Sequence, residues 1–143
     1  MKCLVTGGAG FIGSNLVNRL VDDGHDVRII DDLSTGKKEN INTKASFNQM
    51  DISLKTAPDY MTMLMKDVDV VFHLAAKARV QPSIDNPIEF NDVNVTGLLN
   101  VLKSSVDAGV HRFIYSSSSS VYGNVEQLPT PEGHKLNPMS PYA

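Results

Sequence analysis

The sequence has one cysteine, no apolar run long enough to cross a membrane, no excess of positive charge and no internal repeat. Each absence excludes something. Cys3 cannot form an internal disulfide, and in the apolar run it occupies it reads as an inert buried thiol. No stretch reaches the roughly 20 apolar residues of a membrane span. The N-terminal MKCLVTGGAGFIG lacks the apolar run and small-residue cleavage site of a secretory signal, so the expected location is cytoplasmic. With 13 Lys plus Arg against 16 Asp plus Glu, the net charge is −3, which argues against nucleic acid or an anionic membrane surface as the main partner. Any bound anion must therefore be held locally. The four histidines, His25, His73, His111 and His134, share no HxxxH spacing or carboxylate pairing, so no metal is expected.

What is present fits one soluble domain: 143 residues, 41% hydrophobic and 20% charged. Short apolar blocks alternate with helix-period segments, the pattern of strands and helices around a parallel sheet. Strands are expected over 2–6, 26–31, 46–52, 69–76 and 111–116. A helix follows the first strand, carrying Phe11, Ile12, Leu16, Val17, Leu20 and Val21 and closed by the DDG at 22–24. A second, over 55–66, puts Ala57, Tyr60, Met61, Leu64 and Met65 on one face, with its methionines as core filler. A long helix is expected from Pro87 to about Asp107, with Val95, Leu98, Leu99, Leu102 and Val106 facing inward. The serine run Ser116 to Ser120 directly follows a strand, and the Pro-rich stretch after Gly123 reads as a surface loop.

Gly7, Gly10 and Gly13 stand at GxxGxxG spacing between the first strand and first helix. Glycine also serves ordinary turns, but here strand, glycines, amphipathic helix and an acid-terminated second strand occur in order, which points to dinucleotide binding. Gly7 permits the sharp turn, Gly10 lets backbone approach a pyrophosphate, and Gly13 lets helix and strand pack closely. The phosphates would rest on the unpaired amides and positive dipole end of the helix starting near Phe11. Asp31, ending the second strand, is positioned to accept hydrogen bonds from the adenosine ribose hydroxyls. A 2′-phosphate would face Asp31 and Asp32, which favours NAD over NADP, with the nearby Lys37 and Lys38 as the reservation. Asp32 reads equally as a solvated loop acid or a cap.

Taken together, TGGAGFIGSNLVNRL, DDLSTGKKENI, HLAA, NVTGLLNVL, SSSSSVYG and SPYA, in this order, resemble an extended short-chain dehydrogenase/reductase of the NAD-dependent epimerase/dehydratase family, most like its UDP-sugar 4-epimerases. The resemblance implies an α/β fold, a Rossmann-type doubly wound parallel sheet over residues 1–143, truncated before its last strands, with the substrate-binding domain outside this chain. It implies NAD as cofactor, a UDP-sugar substrate, and a homodimer for the full-length protein. By the same resemblance Phe11 and Ile12 lie over the pyrophosphate, Asp51 and Ile52 flank the adenine, and Leu74, Ala75 and Ala76 line the cofactor. Asn94, grouped by the resemblance with the cofactor-binding residues, matches a position that ties the long helix to the active-site strands; it also heads an Asn-Val-Thr glycosylation pattern, expected to be idle. Lys77 and Arg79 either touch cofactor or substrate phosphates or are solvated loop charges.

The resemblance makes Ser118 the catalytic hydroxyl, able to donate to and accept from a sugar oxygen that becomes a carbonyl. It makes Tyr142 the tyrosine of a YxxxK motif whose lysine position falls beyond Ala143. A free phenol has a pKa of about 10, so a base working near neutrality needs about three units of lowering, or about 4 kcal/mol. In the family that falls to the lysine and the nicotinamide charge. Ser119 and Ser120 stand where related dehydratases carry an Asp and a Glu, which favours epimerisation at C4, through a transient 4-keto sugar, over dehydration. The alternatives are a reductase, decarboxylase or dehydratase of the same family, or a non-catalytic dinucleotide-binding module.

Overall fold

The computed structural model describes residues 1–143. Five strands form one sheet: β1 (Lys2–Thr6), β2 (Asp26–Asp31), β3 (Ser46–Gln49), β4 (Val70–His73) and β5 (Arg112–Tyr115). All neighbours are parallel and the order is β3-β2-β1-β4-β5. β1 is central and reads as an unbroken apolar run because helices cover both of its faces.

Helix α1 (Phe11–Asp22) covers one face, where Cys3, Val5, Val17, Leu20, Val27 and Ile29 form a core. Helices α2 (Ala57–Leu64) and α5 (Leu98–Asp107) cover the other, over Leu4, Ile30, Met61, Met65, Val71 and Val101. Between them in sequence come α3 (Val80–Asp85) and α4 (Pro87–Asn91). A π-helical segment, Asp92–Gly97, joins α4 to α5, so the expected long helix runs continuously from Pro87 to Asp107 with one wide turn inside it. The changeover between helix-bearing faces falls between β1 and β4, where open α/β sheets place their ligand crevice. Cys3 is fully buried, and that burial pushes its thiol pKa up, as expected for an inert thiol.

Three expectations need correction. β3 and β4 end earlier than expected, at Gln49 and His73, so residues 50–52 and 74–76 leave the ladder. Tyr60 is 48% exposed, although Ala57, Met61 and Met65 are buried as expected. The apolar stripe of the long helix faces outward: Val95, Leu99, Leu102 and Val106 are all exposed and Leu98 is half-buried. Its inward face is Phe90, Gly97, Val101, Ser104 and Ser105. Small residues let the helix approach α2 and the sheet closely. Ser104 donates to the Pro58 carbonyl, and a Cβ added at Gly97 would stand 2.8 Å from Ile52.

Candidate functional site

A cleft of about 360 Å³ opens at the C-terminal ends of β1, β2 and β4. Its floor is the glycine loop, with Gly7, Gly10 and Gly13 all on its lining. Gly7 has φ +71°, and a Cβ there would stand 2.8 Å from the Ala75 amide nitrogen. A Cβ at Gly13 would come within 2.1 Å of the Gly7 carbonyl oxygen, so helix and turn are in contact at that point. Phe11 and Ile12, the first residues of α1, also line the cleft and are 85% and 65% exposed. The cap residue Gly10 has no side chain to satisfy the first turn, and no acid stands there. The amides of Phe11, Ile12 and Gly13 find no acceptor in the chain, leaving a cluster of donors at the positive end of the helix dipole.

The acidic wall comes from β2. Asp31 is buried; its Oδ2 accepts from the Ala9 amide at 2.9 Å and its Oδ1 from the Leu33 amide at 2.8 Å. Leu33 has φ +64°, a conformation that curls the loop back onto the carboxylate. Each oxygen keeps one lone pair, so Asp31 can still accept from a ligand. Asp32 is half-buried and accepts from the Ser34 amide and hydroxyl, a local turn that leaves it on the cleft lining. Lys37 pairs with Glu39 at 3.8 Å. Opposite, Asp51 accepts from the amide and hydroxyl of Ser53, and Ile52 is buried; both line the cleft because β3 stops short of them.

Leu74, Ala75 and Ala76 form the far wall. Thr6 Oγ1 accepts from the amides of Leu74 and Ala75, both at 3.2 Å, which draws the wall against the end of β1. Asn94 lies outside the cleft, on the π-helical segment, and hydrogen-bonds both the amide and the carbonyl of Lys77, which is on the lining. The Lys77 ammonium is engaged with Glu89 at 2.6 Å. Arg79 is exposed, makes no ion pair, and has φ +87°, a strained conformation for a residue with a side chain.

Ser118 and Tyr142 are not among the residues that line this cleft; Ser116 is. Ser118 caps a short 3₁₀ turn, Ser119–Tyr122, its Oγ accepting from the Ser120 amide at 3.2 Å, which leaves the hydroxyl proton free to donate. Tyr142 lines an adjacent groove with Phe90, Asn94 and Tyr115. The tail reaches it by folding back on the VYG turn: Asn137 donates to the Val121 carbonyl, and a Cβ at Gly123 would lie 2.2 Å from the Asn137 carbonyl oxygen. Fully buried Ser83 then accepts from the Tyr142 amide at 3.1 Å, and Phe90 packs edge-on against its ring. No hydrogen bond joins Ser118 to Tyr142.

Sequence reasoning missed Thr35, Met50, Ala78 and Val93 on the lining, and Thr6 behind it. Met50 and Ala78 adjoin motifs that were read, so neighbourhood alone signals them. Val93 belongs to the π-helical segment and carries no local signal.

Residues 3–143 match the model of the NAD dependent epimerase/dehydratase family. A putative UDP-glucose 4-epimerase of Methanocaldococcus jannaschii is 44% identical over 140 residues, covering 97% of this chain and 45% of its own length. The crystal structure of UDP-glucose 4-epimerase from Thermotoga maritima with UDP-glucose superposes with a TM-score of 0.92 at 42% identity, over 99% of this chain and 46% of that one. A UDP-glucose 4-epimerase from Stenotrophomonas maltophila with bound NAD and formylated UDP-arabinopyranose gives 0.93 at 36% identity, over 99% and 44%. The chain thus spans less than half the length of these relatives.

Proposed function

The chain belongs to the NAD dependent epimerase/dehydratase family, and from that premise we propose that it is the cofactor-binding and catalytic portion of a UDP-sugar 4-epimerase. Residues 1–143 act as the NAD-binding domain in this reading, and the sugar is held mainly by residues outside it. The observation that carries the reading is the single cleft at the β1/β4 changeover, which unites the orphaned amides of Phe11, Ile12 and Gly13 with the carboxylate of Asp31.

The residues present fit a dinucleotide. Three free amides at a helix N-terminus suit a pyrophosphate without any cation, as a chain of net charge −3 requires. Asp31 offers its two remaining lone pairs to ribose hydroxyls, and the negative charge disfavours a 2′-phosphate. Asp51 and Ile52 close one end around the adenine, and Leu74 to Ala76 offer small side chains along the other wall. NAD held there would supply a hydride acceptor and donor for C4 of the sugar. Tyr142 removes the proton of the 4-hydroxyl and later restores it. Ser118, its proton uncommitted within the chain, donates to the sugar oxygen as that oxygen becomes a carbonyl. Ser83 and Phe90 hold Tyr142 by its backbone and ring.

The test is product analysis of the purified protein with UDP-glucose and UDP-N-acetylglucosamine. A C4 epimer formed without net NADH supports the reading, and its absence from a protein shown to hold NAD rejects it. For the cofactor, Asp31→Ala is expected to weaken NAD more than NADP, and equal losses would count against the ribose contact. A second reading, dehydration, is opposed by Ser119 and Ser120, which offer hydroxyls where acid and base chemistry needs carboxylates. The exposed stripe of Ile88, Val95, Leu99 and Val106 supports a homodimer through the long helix, which light scattering of wild type and Leu99→Glu decides.

A further inference from the structure

His73 is buried, 2% exposed, and no step above uses it. It ends β4 directly before the Leu74–Ala76 wall, and its ring stacks against Phe113 and Tyr115, with centroids 5.8 Å and 5.9 Å away. The ring's one hydrogen bond within the chain joins Nδ1 to Thr6 Oγ1 at 2.9 Å.

The protonation of that pair follows from counting. A threonine hydroxyl has one proton and two acceptor lone pairs. The amides of Leu74 and Ala75 both point at Thr6 Oγ1, the Leu74 amide sharing its proton with the Thr6 carbonyl oxygen. Those two donors take the lone pairs, so the hydroxyl proton has only Nδ1 to go to. Were Nδ1 protonated, three N–H groups would converge on one oxygen whose own proton had no acceptor. Nδ1 is therefore the acceptor, and the imidazole proton lies on Nε2. Burial alone, with no charged neighbour contributing, holds the imidazole neutral by lowering its pKa to about 4.

Resting on the cofactor-binding reading of the cleft, we propose that His73 is a positioning residue, locked as the neutral Nε2–H tautomer, which aims the Thr6 hydroxyl so that its lone pairs hold the Leu74–Ala75 wall against the glycine turn. The wall and turn meet at Gly7, where even a methyl group would collide with the Ala75 amide. A rotation of the Thr6 hydroxyl toward either amide removes one of their acceptors and releases the wall where a dinucleotide would lie.

Two-bond nitrogen–proton NMR on the ¹⁵N-histidine-labelled protein, without cofactor, reads the tautomer directly. A pyridine-type Nδ1 and a pyrrole-type Nε2 at His73 are expected, and the reverse pattern overturns the proposal. The positioning role is read by two variants. His73→Phe keeps an aromatic ring between Phe113 and Tyr115 but offers no acceptor; His73→Asn restores an oxygen near the place of Nδ1. Amide exchange at Ala75 is expected to speed several-fold to about tenfold in His73→Phe, the worth of one net hydrogen bond, and to return toward wild type in His73→Asn. NAD affinity is expected to follow the same order. Unchanged Ala75 exchange in His73→Phe, or equal acceleration in both variants, defeats the positioning role. If wild type holds no NAD, the cofactor reading fails, while tautomer and exchange still decide the local claim. Should a variant not fold, the wild-type tautomer spectrum remains decisive.

Discussion

Asn94 and Lys77 are joined by two hydrogen bonds of opposite sense: Asn94 Nδ2 donates to the Lys77 carbonyl at 2.9 Å, and its Oδ1 accepts from the Lys77 amide at 2.8 Å. The pair fastens the π-helical segment to the loop that leaves β4, so the cleft wall is held from the helix side as well as by Thr6. Asn94→Ala strips both partners from a half-buried peptide group and is expected to cost about 1–3 kcal/mol in urea unfolding. Asn94→Asp keeps the acceptor but sets a carboxylate oxygen against the Lys77 carbonyl oxygen, so its loss should be at least as large. Two variants indistinguishable from wild type would mean the clamp contributes nothing.

Gly36 lies behind the acidic wall, where an added Cβ would stand 2.7 Å from Asp31 Oδ1 and 2.9 Å from the Ala9 side chain. Gly36→Ala therefore displaces the carboxylate without removing it. The expected outcome is a loss of about 1–3 kcal/mol in stability, typical of overpacking, with weaker NAD binding measured by calorimetry. Gly24→Ala is the control: it strains a positive φ of +80°, which Gly36 does not have, but nothing lies within 4 Å of the added methyl, so NAD affinity should not move.

The reversed face of the long helix makes a paired prediction. Val101→Ala empties a fully buried site and should cost about 2 kcal/mol. Leu99→Ala, at a position 63% exposed, should stay within about 0.5 kcal/mol in the monomer by chemical denaturation at low concentration.

The buried imidazole predicts an acid-side loss of stability. His73 has its pKa lowered to about 4 from the ordinary 6.5, so the unfolded chain binds a proton that the native chain refuses between those values. Stability contributed by the neutral ring is complete above about pH 6.5, falls as pH drops through that window, and is gone below about 4. Its size is roughly 3 kcal/mol from a shift of this order. In denaturation series at pH 7 and pH 5, His73→Phe should lose less stability on acidification than wild type; an equal loss would assign the change to other groups.

Much of this was legible because it is local. The GxxGxxG loop, α1 and β2 are each written in adjacent residues, and of the thirteen residues assigned to the cofactor all but Asn94 line the cleft. The face of the long helix was misread because its buried contacts are made by Gly97, Ser104 and Ser105, whose small size matters for close approach and which hydropathy scores as polar. The ends of β3 and β4 were overrun because residues that line a ligand cleft are as apolar as strand residues. The Thr6–His73 pair joins residues 67 positions apart, and no pattern in either segment announces it. Ser118 and Tyr142 could be named by resemblance, but the separation of the tyrosine into a neighbouring groove is a property of the folded tail.

The carboxylate of Asp31 has a consequence for how such a protein can change over generations. In the proposed reading, the atoms that choose between cofactors are also the atoms that terminate the Ala9 and Leu33 amides. A lineage drifting toward a 2′-phosphorylated cofactor cannot simply discard the acid, because the glycine turn would lose an acceptor in the same step. Replacement acceptors for those amides would have to arise first, and cofactor preference is in that sense inherited together with foldability.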